Sequence, residues 1–244
     1  MTLTRRSLSV IVPAYCEAGN IGGTIENVAT ALENLPLDYE ILVIDDGSTD
    51  GTGAIVEGTR ARFPAVRLLV NERNMGFGWT YRRGVQAAAR QFIVMVHGDN
   101  AWGAATLRDL FERVGDADII VGYTRDMWRS RTLTRTLISK AFTAVVNVMT
   151  GRRLQYYNGL QIHRADILKS LDIESTGFGF QAEVLVKALR IAGSYVEVPM
   201  ELREREIGDS KAFRLKNVVD VLATLRRLWL LPADAREAVR KAEG

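Results

Sequence analysis

The sequence has a single cysteine and no long apolar run. The lone Cys16 excludes an intramolecular disulfide bond, which fits a reducing compartment. No stretch approaches the roughly 20 apolar residues that a transmembrane helix needs. The apolar run after Arg5 and Arg6 stops at Pro13, which is too short for the apolar region of a secretory signal peptide. We therefore expect a cytoplasmic protein that is soluble or peripheral to a membrane.

Two nucleotide-binding fingerprints are also missing. The sequence contains no Gly-x-x-x-x-Gly-Lys-Ser/Thr, which excludes the phosphate-binding loop of P-loop NTPases. The first predicted strand is not followed by Gly-x-Gly-x-x-Gly. Gly76-Phe77-Gly78 is only a weak echo of that motif, and it follows the third strand. A dinucleotide-dependent oxidoreductase is therefore disfavoured.

A large excess of charge of one sign is absent as well. The 32 Lys and Arg residues against 29 Asp and Glu residues give a net charge of +3, which does not suggest nucleic-acid binding. The cations are concentrated near an amphipathic helix predicted at Arg131–Met149. Such a pattern favours contact with an anionic lipid surface, and a solvated face or core packing of the helix are the alternatives. The clustered cations are Arg125, Arg129, Arg131, Arg135, Lys140, Arg152 and Arg153.

Strand-like and helix-like patterns alternate along most of the chain. This alternation predicts an α/β fold with a mostly parallel sheet and right-handed crossovers. An amphipathic helix at Val218–Leu231 is predicted to form a C-terminal extension. The predicted strands are Ser9–Pro13, Ile41–Ile44, Val66–Val70, Phe92–Val96, Asp118–Gly122 and Tyr195–Pro199. Helices are predicted from Ile21 to Leu35, from about Thr52 to Phe63, after the loop Asn71–Gly78 as far as about Arg90, at Arg131–Met149 and near Phe180–Ala192.

Two adjacent acids follow the second predicted strand. Ile41–Ile44 is continuously apolar, as in a strand that is buried on both faces, and Asp45 and Asp46 come directly after it. Ligands of open α/β sheets bind beyond the carboxyl ends of the strands. Adjacent carboxylates repel each other, which costs stability unless a nearby cation or hydrogen bonds to the carboxylates offset it. The pair is therefore a candidate ligand site; alternatively, Asp46 and Asp50 shape the turn and cap the next helix.

Polar side chains follow three strands of the predicted sheet. Because the carboxyl ends of parallel strands meet at one edge, we expect them to form a single site. Carboxylate oxygens suit Mg²⁺ or Mn²⁺, which also bridge diphosphates, so a nucleoside diphosphate is a natural ligand. The residues are Tyr15 and Glu17, then Asp45 and Asp46, then His97 and Asp99.

Several ordered motifs resemble family 2 glycosyltransferases with the GT-A fold. The later motifs are similar to those of the dolichol-phosphate mannose synthase branch, which moves a sugar from a nucleotide to a polyprenyl phosphate. The resemblance implies a glycosyltransferase domain at residues 1–215 and an amphipathic tail at residues 216–244. The motifs are VIVPAYCE from Val10, VIDDGSTDGT from Val43, Asn74-Met75-Gly76, GFGFQAE from Gly177, Glu197-Val198-Pro199 and REIGDSK from Arg205.

The resemblance assigns roles to individual residues. Asp99 matches the second acid of the family's Asp-x-Asp metal motif, whereas His97 replaces the first acid and Ala101 replaces a glutamine that often assists the metal. Imidazole ligates Mn²⁺ better than Mg²⁺, so an altered dependence on Mg²⁺ or Mn²⁺ is expected. The other residues expected to bind the nucleotide sugar are Pro13, Tyr15, Glu17, Asp45, Asp46, Gly76 and Gly98.

The implied reaction is an inverting transfer from a GDP- or UDP-sugar to polyprenyl or dolichyl phosphate at the cytoplasmic face of a membrane. Arg205 and Lys211 are expected to stabilise the leaving diphosphate. A phosphate acceptor needs little help from a base, whereas a hydroxyl acceptor would need one, for which Glu183 and Asp99 are the candidates. Gln155, where the branch usually has an acid, keeps acceptor choice open.

Other interpretations of these residues remain open. The acceptor could be a lipid or saccharide hydroxyl, or the protein could bind nucleotide sugars without turning them over. Glu17 and Lys211 could be solvated surface residues. His163 could be a surface residue after a strand, and a histidine such as His97, taken alone, is more often structural than a ligand.

Overall fold

The computed structural model describes residues 6–124, 133–155, 157, 159–175, 179–200, 224, 226 and 227, without the side chains of residues 124 and 133–139. Its strands form one sheet in the order β3-β2-β1-β4-β6-β5-β7. All neighbouring strands are parallel except that β6 runs antiparallel to β4 and β5. The strands are β1 (Ser7–Ala14), β2 (Asp38–Asp45), β3 (Val66–Val70), β4 (Phe92–Met95), β5 (Ile119–Thr124), β6 (Gln161–Arg164) and β7 (Tyr195–Met200).

Helices lie on both faces of this sheet. On one face, α1 and α4 pack against a core that contains Val10, Val43 and Ile120. On the other, α3 and α7 cover Ile11, Ile44 and Met95. The helices are α1 (Ile21–Leu32), α2 (Thr52–Thr59), α3 (Phe77–Ala87), α4 (Ala104–Phe111), α5 (Leu133–Thr150), α6 (Ala165–Ser170) and α7 (Phe180–Ile191).

The central strands end at a common level. Ala14 pairs with Asp45, and Asp45 pairs with Val70, so the loops that follow β1, β2 and β3 begin side by side. All eight residues of β1 are buried, which is why its Val10–Val12 segment is continuously apolar rather than alternating. The register therefore brings the predicted strand ends to one edge of the sheet.

Most predicted elements are present, with ends that differ by a few residues. The strand Val66–Val70 is confirmed at both ends, whereas the second helix ends at Thr59 rather than Phe63. The sequence patterns did not reveal α4, α6 or β6. The expectation that His163 is a surface residue is wrong, because it lies inside β6 and is 2% exposed.

The predicted C-terminal extension is described at three positions. Thr224, Arg226 and Arg227 are helical, which agrees with the predicted helix, and its other residues and the boundary at residue 215 lie outside the described part of the chain. Thr224 is buried, and its hydroxyl lies 3.1 Å from that of Ser175. None of the described helices is long and apolar enough to cross a membrane.

Candidate active site

Hydrogen bonds join the loop after β1 to the loop after β2. The amide of Cys16 donates to Ser48 Oγ at 2.9 Å, and the amide of Glu17 donates to Thr52 Oγ1 at 2.9 Å. Cys16 has a φ of 53°, in the left-handed region that is uncommon for residues other than glycine. The two loops therefore form one wall of a site, with the predicted residues Tyr15 and Glu17 on it.

Tyr15 and Glu17 differ in their surroundings. The Tyr15 side chain is 49% exposed, so its ring is available for stacking against a ligand base. Glu17 is held at the start of α1, where its Oε2 accepts a hydrogen bond from Asn20 Nδ2 at 2.8 Å. Pro13 lies deeper, and its carbonyl accepts a bond from the Gly98 amide at 3.3 Å.

The two adjacent acids have different roles in the structure. Asp45 is 3% exposed, and its Oδ1 accepts a hydrogen bond from the Ser48 amide at 2.9 Å. Within the described part of the chain its Oδ2 has no hydrogen-bond donor. That oxygen lies close to α2, where a Cβ on Gly53 would come within 3.0 Å of it. Asp45 therefore keeps one carboxylate oxygen that a ligand can use.

In Asp46, in contrast, both carboxylate oxygens accept hydrogen bonds from the protein. Its Oδ1 accepts hydrogen bonds from Asn71 Nδ2 at 2.7 Å and from the Met75 amide at 2.8 Å, and its Oδ2 accepts one from the Gly76 amide at 2.9 Å. These hydrogen bonds stabilise the charged form of Asp46 and so offset the repulsion from the Asp45 carboxylate. They favour the structural alternative for Asp46, which holds the loop from Asn71 to Gly76 against the end of β2.

Asp50 also shapes its loop. Its Oδ1 accepts hydrogen bonds from the hydroxyl of Thr52 at 2.6 Å and from the Thr52 amide at 3.0 Å, and its Oδ2 accepts one from the Ala18 amide at 3.0 Å. The Thr52 hydroxyl, followed by the Ala18 amide, lowers the pKa of Asp50. The carboxylate is thus a fixed part of the turn before α2.

The third strand end carries His97 and Asp99. The His97 ring stacks on Phe77, with 5.1 Å between centroids and 5° between planes. Asp99 lies two residues further on, and its Oδ1 accepts a long hydrogen bond of 3.3 Å from the Ala101 amide. Gly98, between them, is close to β1, because a Cβ there would lie 3.0 Å from the Pro13 carbonyl oxygen.

The donor set at this strand end suits a substrate-bound cation. No group of three or more His, Cys, Asp or Glu side chains that could hold a metal occurs among the described residues. His97 and Asp99 offer one nitrogen and one carboxylate, and Ala101 is buried and adds no ligand. Two protein ligands fit Mg²⁺ or Mn²⁺ when substrate phosphates supply further oxygens.

Glu183 lies in a closed network of donors. It is 2% exposed, its Oε1 accepts from Lys187 Nζ at 2.6 Å and the Glu174 amide at 3.0 Å, and its Oε2 accepts from the Ser175 amide at 2.8 Å. Burial alone would raise the pKa of Glu183, but the bonds from Lys187, Ser175 and Glu174 together lower it. These contacts favour a structural role over that of a general base.

A Glu183→Gln variant will therefore lose stability. We expect the free energy of unfolding to fall by about 1–3 kcal/mol at neutral pH, because an amide NH₂ would face backbone donors and Lys187 would lose its counter-charge. Since the folded pKa of Glu183 is lowered, its contribution is present at neutral pH and is lost as pH falls through that pKa. Urea unfolding between pH 7 and pH 3 should show the difference from wild type shrinking towards acid. A constant difference would contradict this assignment.

Arg205 and Lys211, the two predicted diphosphate-binding cations, lie outside the described residues, as do Tyr156 and Asn158. At the altered acceptor segment, the Gln155 amide donates to Glu197 Oε1 at 2.7 Å, which ties that segment to β7.

Sequence reasoning missed two residues that support the site. Asn71, the first residue after β3, is 4% exposed and donates to Asp46. Phe77 supports His97 and also packs edge-on against Phe180, with 5.0 Å between centroids. Asn71 could have been found, because it is a polar residue directly after a predicted strand. Phe77 gave no such signal, since its partners are distant in sequence.

Comparison with known families matches most of the chain. Residues 9–186 match the model of glycosyl transferase family 2. An undecaprenyl-phosphate mannosyltransferase from Micrococcus luteus is 31% identical over 211 residues, which cover 82% of this chain and 85% of that protein. A polyprenol monophosphomannose synthase from Mycolicibacterium smegmatis is 29% identical over 85% of this chain and 81% of its own length.

Solved structures support the same fold. A glucosyl-3-phosphoglycerate synthase from Mycobacterium tuberculosis, with Mn²⁺, UDP-glucose and phosphoglyceric acid, superposes with a TM-score of 0.72 at 20% identity. The match covers 93% of this chain and 81% of that one. The same enzyme with Mg²⁺ and UDP gives a TM-score of 0.67 at 21% identity, covering 93% of this chain and 80% of that one. These matches confirm the predicted GT-A fold.

Proposed function

Because the chain belongs to glycosyl transferase family 2, we propose that it moves a hexose from a nucleoside-diphosphate sugar to a polyprenyl phosphate, with inversion at the anomeric carbon. It is a hexosyltransferase by family. The acceptor is inferred from the printed names of the relatives from M. luteus and M. smegmatis. The observation that carries the proposal is the meeting of three polar strand ends at one sheet edge, where Asp45 keeps a free carboxylate oxygen.

The donor half of this proposal follows from the loops at that edge. Tyr15 offers an exposed ring for the base, and Asp45 and Glu17 offer carboxylate oxygens for ribose hydroxyls. The diphosphate would then extend towards His97 and Asp99 at the end of β4. We propose that these two residues hold Mg²⁺ or Mn²⁺ together with the phosphates. When bound there, such a cation would supply positive charge next to the leaving diphosphate.

The acceptor half depends on the nucleophile. An oxygen of the acceptor phosphate attacks the anomeric carbon, the bond from that carbon to the donor diphosphate breaks, and the nucleoside diphosphate leaves with the bonding pair. A phosphate monoester, with a second pKa of about 6, is already an anion at neutral pH and needs no general base. The closed hydrogen-bond network of Glu183 agrees with this, because the most buried candidate base is already occupied. We propose that Arg205 and Lys211 stabilise the diphosphate.

Transfer to a defined lipid tests the proposal directly. The protein is incubated with undecaprenyl phosphate and labelled GDP- and UDP-hexoses, with undecaprenol as the matched acceptor that lacks the phosphate. We expect labelled lipid with the phosphate only, and a product of inverted anomeric configuration by NMR. If label appears on undecaprenol but not on undecaprenyl phosphate, the acceptor is a hydroxyl group and the proposed phosphate acceptor is wrong. No transfer with any donor would contradict the proposal.

An apolar stripe on α5 supports a membrane-surface location. Ala141, Ala144, Val145 and Val148 are exposed at helical spacing, and Val148 is 71% exposed. The polar residue Asn147 faces the protein instead, where its side chain binds both backbone groups of Leu154. The inward side of α5 also carries the buried Val146, so the helix has apolar side chains both against the core and towards solvent. We propose that the stripe lies on the cytoplasmic face of the membrane, with exposed Lys140 and Arg153 near anionic lipid headgroups.

A double change on this stripe will weaken lipid binding. We expect Val145→Asp/Val148→Asp to lower binding to vesicles that contain anionic lipid by about 10-fold or more, since apolar contact is lost and charge repulsion is added. Ile55→Asp, on α2, introduces the same kind of charge at another exposed apolar position and serves as the control. Vesicle flotation measures both variants. Equal binding of the double variant and the wild type to vesicles would show that the stripe does not contact the membrane.

A further inference from the structure

A small cavity lies between the sheet and the helices α3 and α7. Its lining includes Tyr81 of α3, Met95 of β4, Gln161 and His163 of β6, and Phe180 and Gln181 of α7. The cavity volume is about 20 Å³, counted as the space that the centre of a water molecule can occupy. About 10–15 Å³ suffices for one water molecule, so the cavity accommodates a single water or one hydroxyl group.

His163 presents an unsatisfied nitrogen in this region. The side chain is buried, and its Nε2 lies 3.1 Å from Gln161 Oε1. Since that oxygen accepts, Nε2 carries the proton in this arrangement, and Nδ1 is an acceptor. Nδ1 is buried and has no hydrogen-bond partner in the described structure. Burial lowers the pKa of His163 to about 4, so the ring is neutral at pH 7 and Nδ1 needs an O–H or N–H donor.

Two further polar groups line the same space. The hydroxyl of Tyr81 and the side-chain amide of Gln181 make no hydrogen bond with the described residues, although Tyr81 is only 4% exposed. The Gln161 amide is committed elsewhere, because its Nε2 donates to the Tyr157 carbonyl at 2.7 Å. Buried polar groups are nearly always paired. Of the three, His163 Nδ1 is the fully buried atom without a partner in the described structure, and Tyr81 and Gln181 share the cavity lining with His163. The unpaired nitrogen and the adjoining cavity together indicate a missing hydrogen-bond donor.

The cavity adjoins the candidate active site. The strand β6 runs antiparallel to β4, so its first residue, Gln161, lies next to the last residue of β4. That last residue is Met95, and His97 follows two positions later. Phe180, in the cavity wall, packs against Phe77, and Phe77 stacks on His97. The cavity wall and the His97 ring therefore belong to one aromatic cluster, which places the cavity next to the predicted diphosphate end of the site.

We propose that this cavity, defined by Tyr81, His163 and Gln181, is a subsite for one hydroxyl group of the donor sugar. The inference rests on the proposed function, since it requires a nucleotide sugar in the site. The hydroxyl donates to His163 Nδ1 and accepts from Tyr81 or Gln181. A neutral sugar hydroxyl meets these requirements, whereas a fully deprotonated oxyanion has no proton to donate to Nδ1. The three residues then select among hexoses by the position of that hydroxyl.

Binding measurements on conservative variants test the subsite. Tyr81→Phe and Gln181→Met each remove one polar group while keeping side-chain volume, and Tyr39→Phe, on β2, is the matched control. Calorimetry measures the Kd of GDP-mannose, UDP-glucose, GDP and UDP. For the preferred nucleotide sugar we expect each cavity variant to bind about 5- to 10-fold more weakly, with the nucleoside diphosphate unchanged. Deoxy donors then identify the hydroxyl, because the variant and the deoxy change will not add.

The outcomes separate the subsite from the wider proposal. If wild type binds nucleotide sugar but the cavity variants bind it equally well, the subsite is overturned and the proposed function stands. A fall in melting temperature with no change in the ratio of the two Kd values means that the cavity holds an ordinary buried water, which also overturns it. If wild type binds no nucleotide sugar, both proposals fail. Weaker binding of sugar nucleotide alone supports the subsite, whatever acceptor is used.

Discussion

Replacing Asp46 with asparagine will lower the free energy of unfolding by about 2–4 kcal/mol, although the change removes no atoms from the core. The carboxylate accepts from Asn71 Nδ2 and from the amides of Met75 and Gly76. An asparagine would place an NH₂ group against one of these donors, and the buried donor would be left unpaired. Chemical denaturation followed by circular dichroism measures the loss.

Asp45→Asn is the matched control for this prediction. Asp45 is equally buried and adjacent, but its carboxylate accepts only from the Ser48 amide among the described residues. We expect Asp45→Asn to cost less than about 1 kcal/mol of stability and to weaken nucleotide-sugar binding more than Asp46→Asn does per folded molecule. If the two variants lose equal stability, or if Asp46→Asn alone abolishes binding while fully folded, the division of roles between the two acids is wrong.

The loop that Asp46 holds also depends on Gly47. Its φ is 74°, and a Cβ at this position would lie 2.6 Å from the Arg73 carbonyl carbon and 2.9 Å from the Asn74 nitrogen. Both the backbone conformation and the close approach thus require glycine. The motif at the end of β2 therefore has two physical functions. Asp45 keeps one carboxylate oxygen for the ligand that we propose, while Asp46 and Gly47 fix the neighbouring loop that leads into α3.

The strand ends could be predicted because they follow from local patterns. Val10–Val12 and Ile41–Ile44 are buried on both faces, so continuous apolar runs marked them, and the polar residues after each run marked the edge of the sheet. The division of labour between Asp45 and Asp46 could not be predicted. It depends on donors from Asn71, Met75 and Gly76, which lie 25 to 30 residues away in sequence.

The second half of the chain was harder to interpret for a physical reason. The strand β6 has only four residues, Gln161–Arg164, and of its two buried residues only Ile162 is aliphatic, because the other is His163. On α5 the apolar pattern was found, but the sequence left open whether the apolar face meets a lipid surface or packs in the core. Asn147 is turned inward by Leu154 and by the Tyr157 hydroxyl, which leaves Val145 and Val148 outside. Periodicity identifies two faces of a helix, and tertiary partners decide which of them is buried.

Replacing Asp99 with alanine will lower kcat/KM by about 100-fold or more. Asp99 is the carboxylate that the Asp-x-Asp resemblance assigns to the metal, and its neighbours do not replace it, because His97 is the other donor at that strand end and Ala101 has none. Loss of the charge stabilisation that a cation supplies at a leaving diphosphate costs several kcal/mol. Steady-state kinetics with Mn²⁺ or Mg²⁺ measure the effect, and Asp109→Ala, an exposed position on α4, is the control.

The same strand end allows the reverse experiment. His97→Asp restores two acids around Gly98, and a pair of carboxylates favours the harder Mg²⁺, whereas the native imidazole favours Mn²⁺. We therefore expect His97→Asp to raise the ratio of activity with Mg²⁺ to activity with Mn²⁺, while Asp99→Ala lowers activity with both. Calorimetric titration of the nucleoside diphosphate with each metal separates binding from turnover. An unchanged metal preference would show that the imidazole, held by its stack on Phe77, does not contact the cation. In that case the role of His97 would be to pack against Phe77, which in turn contacts Phe180 at the start of α7.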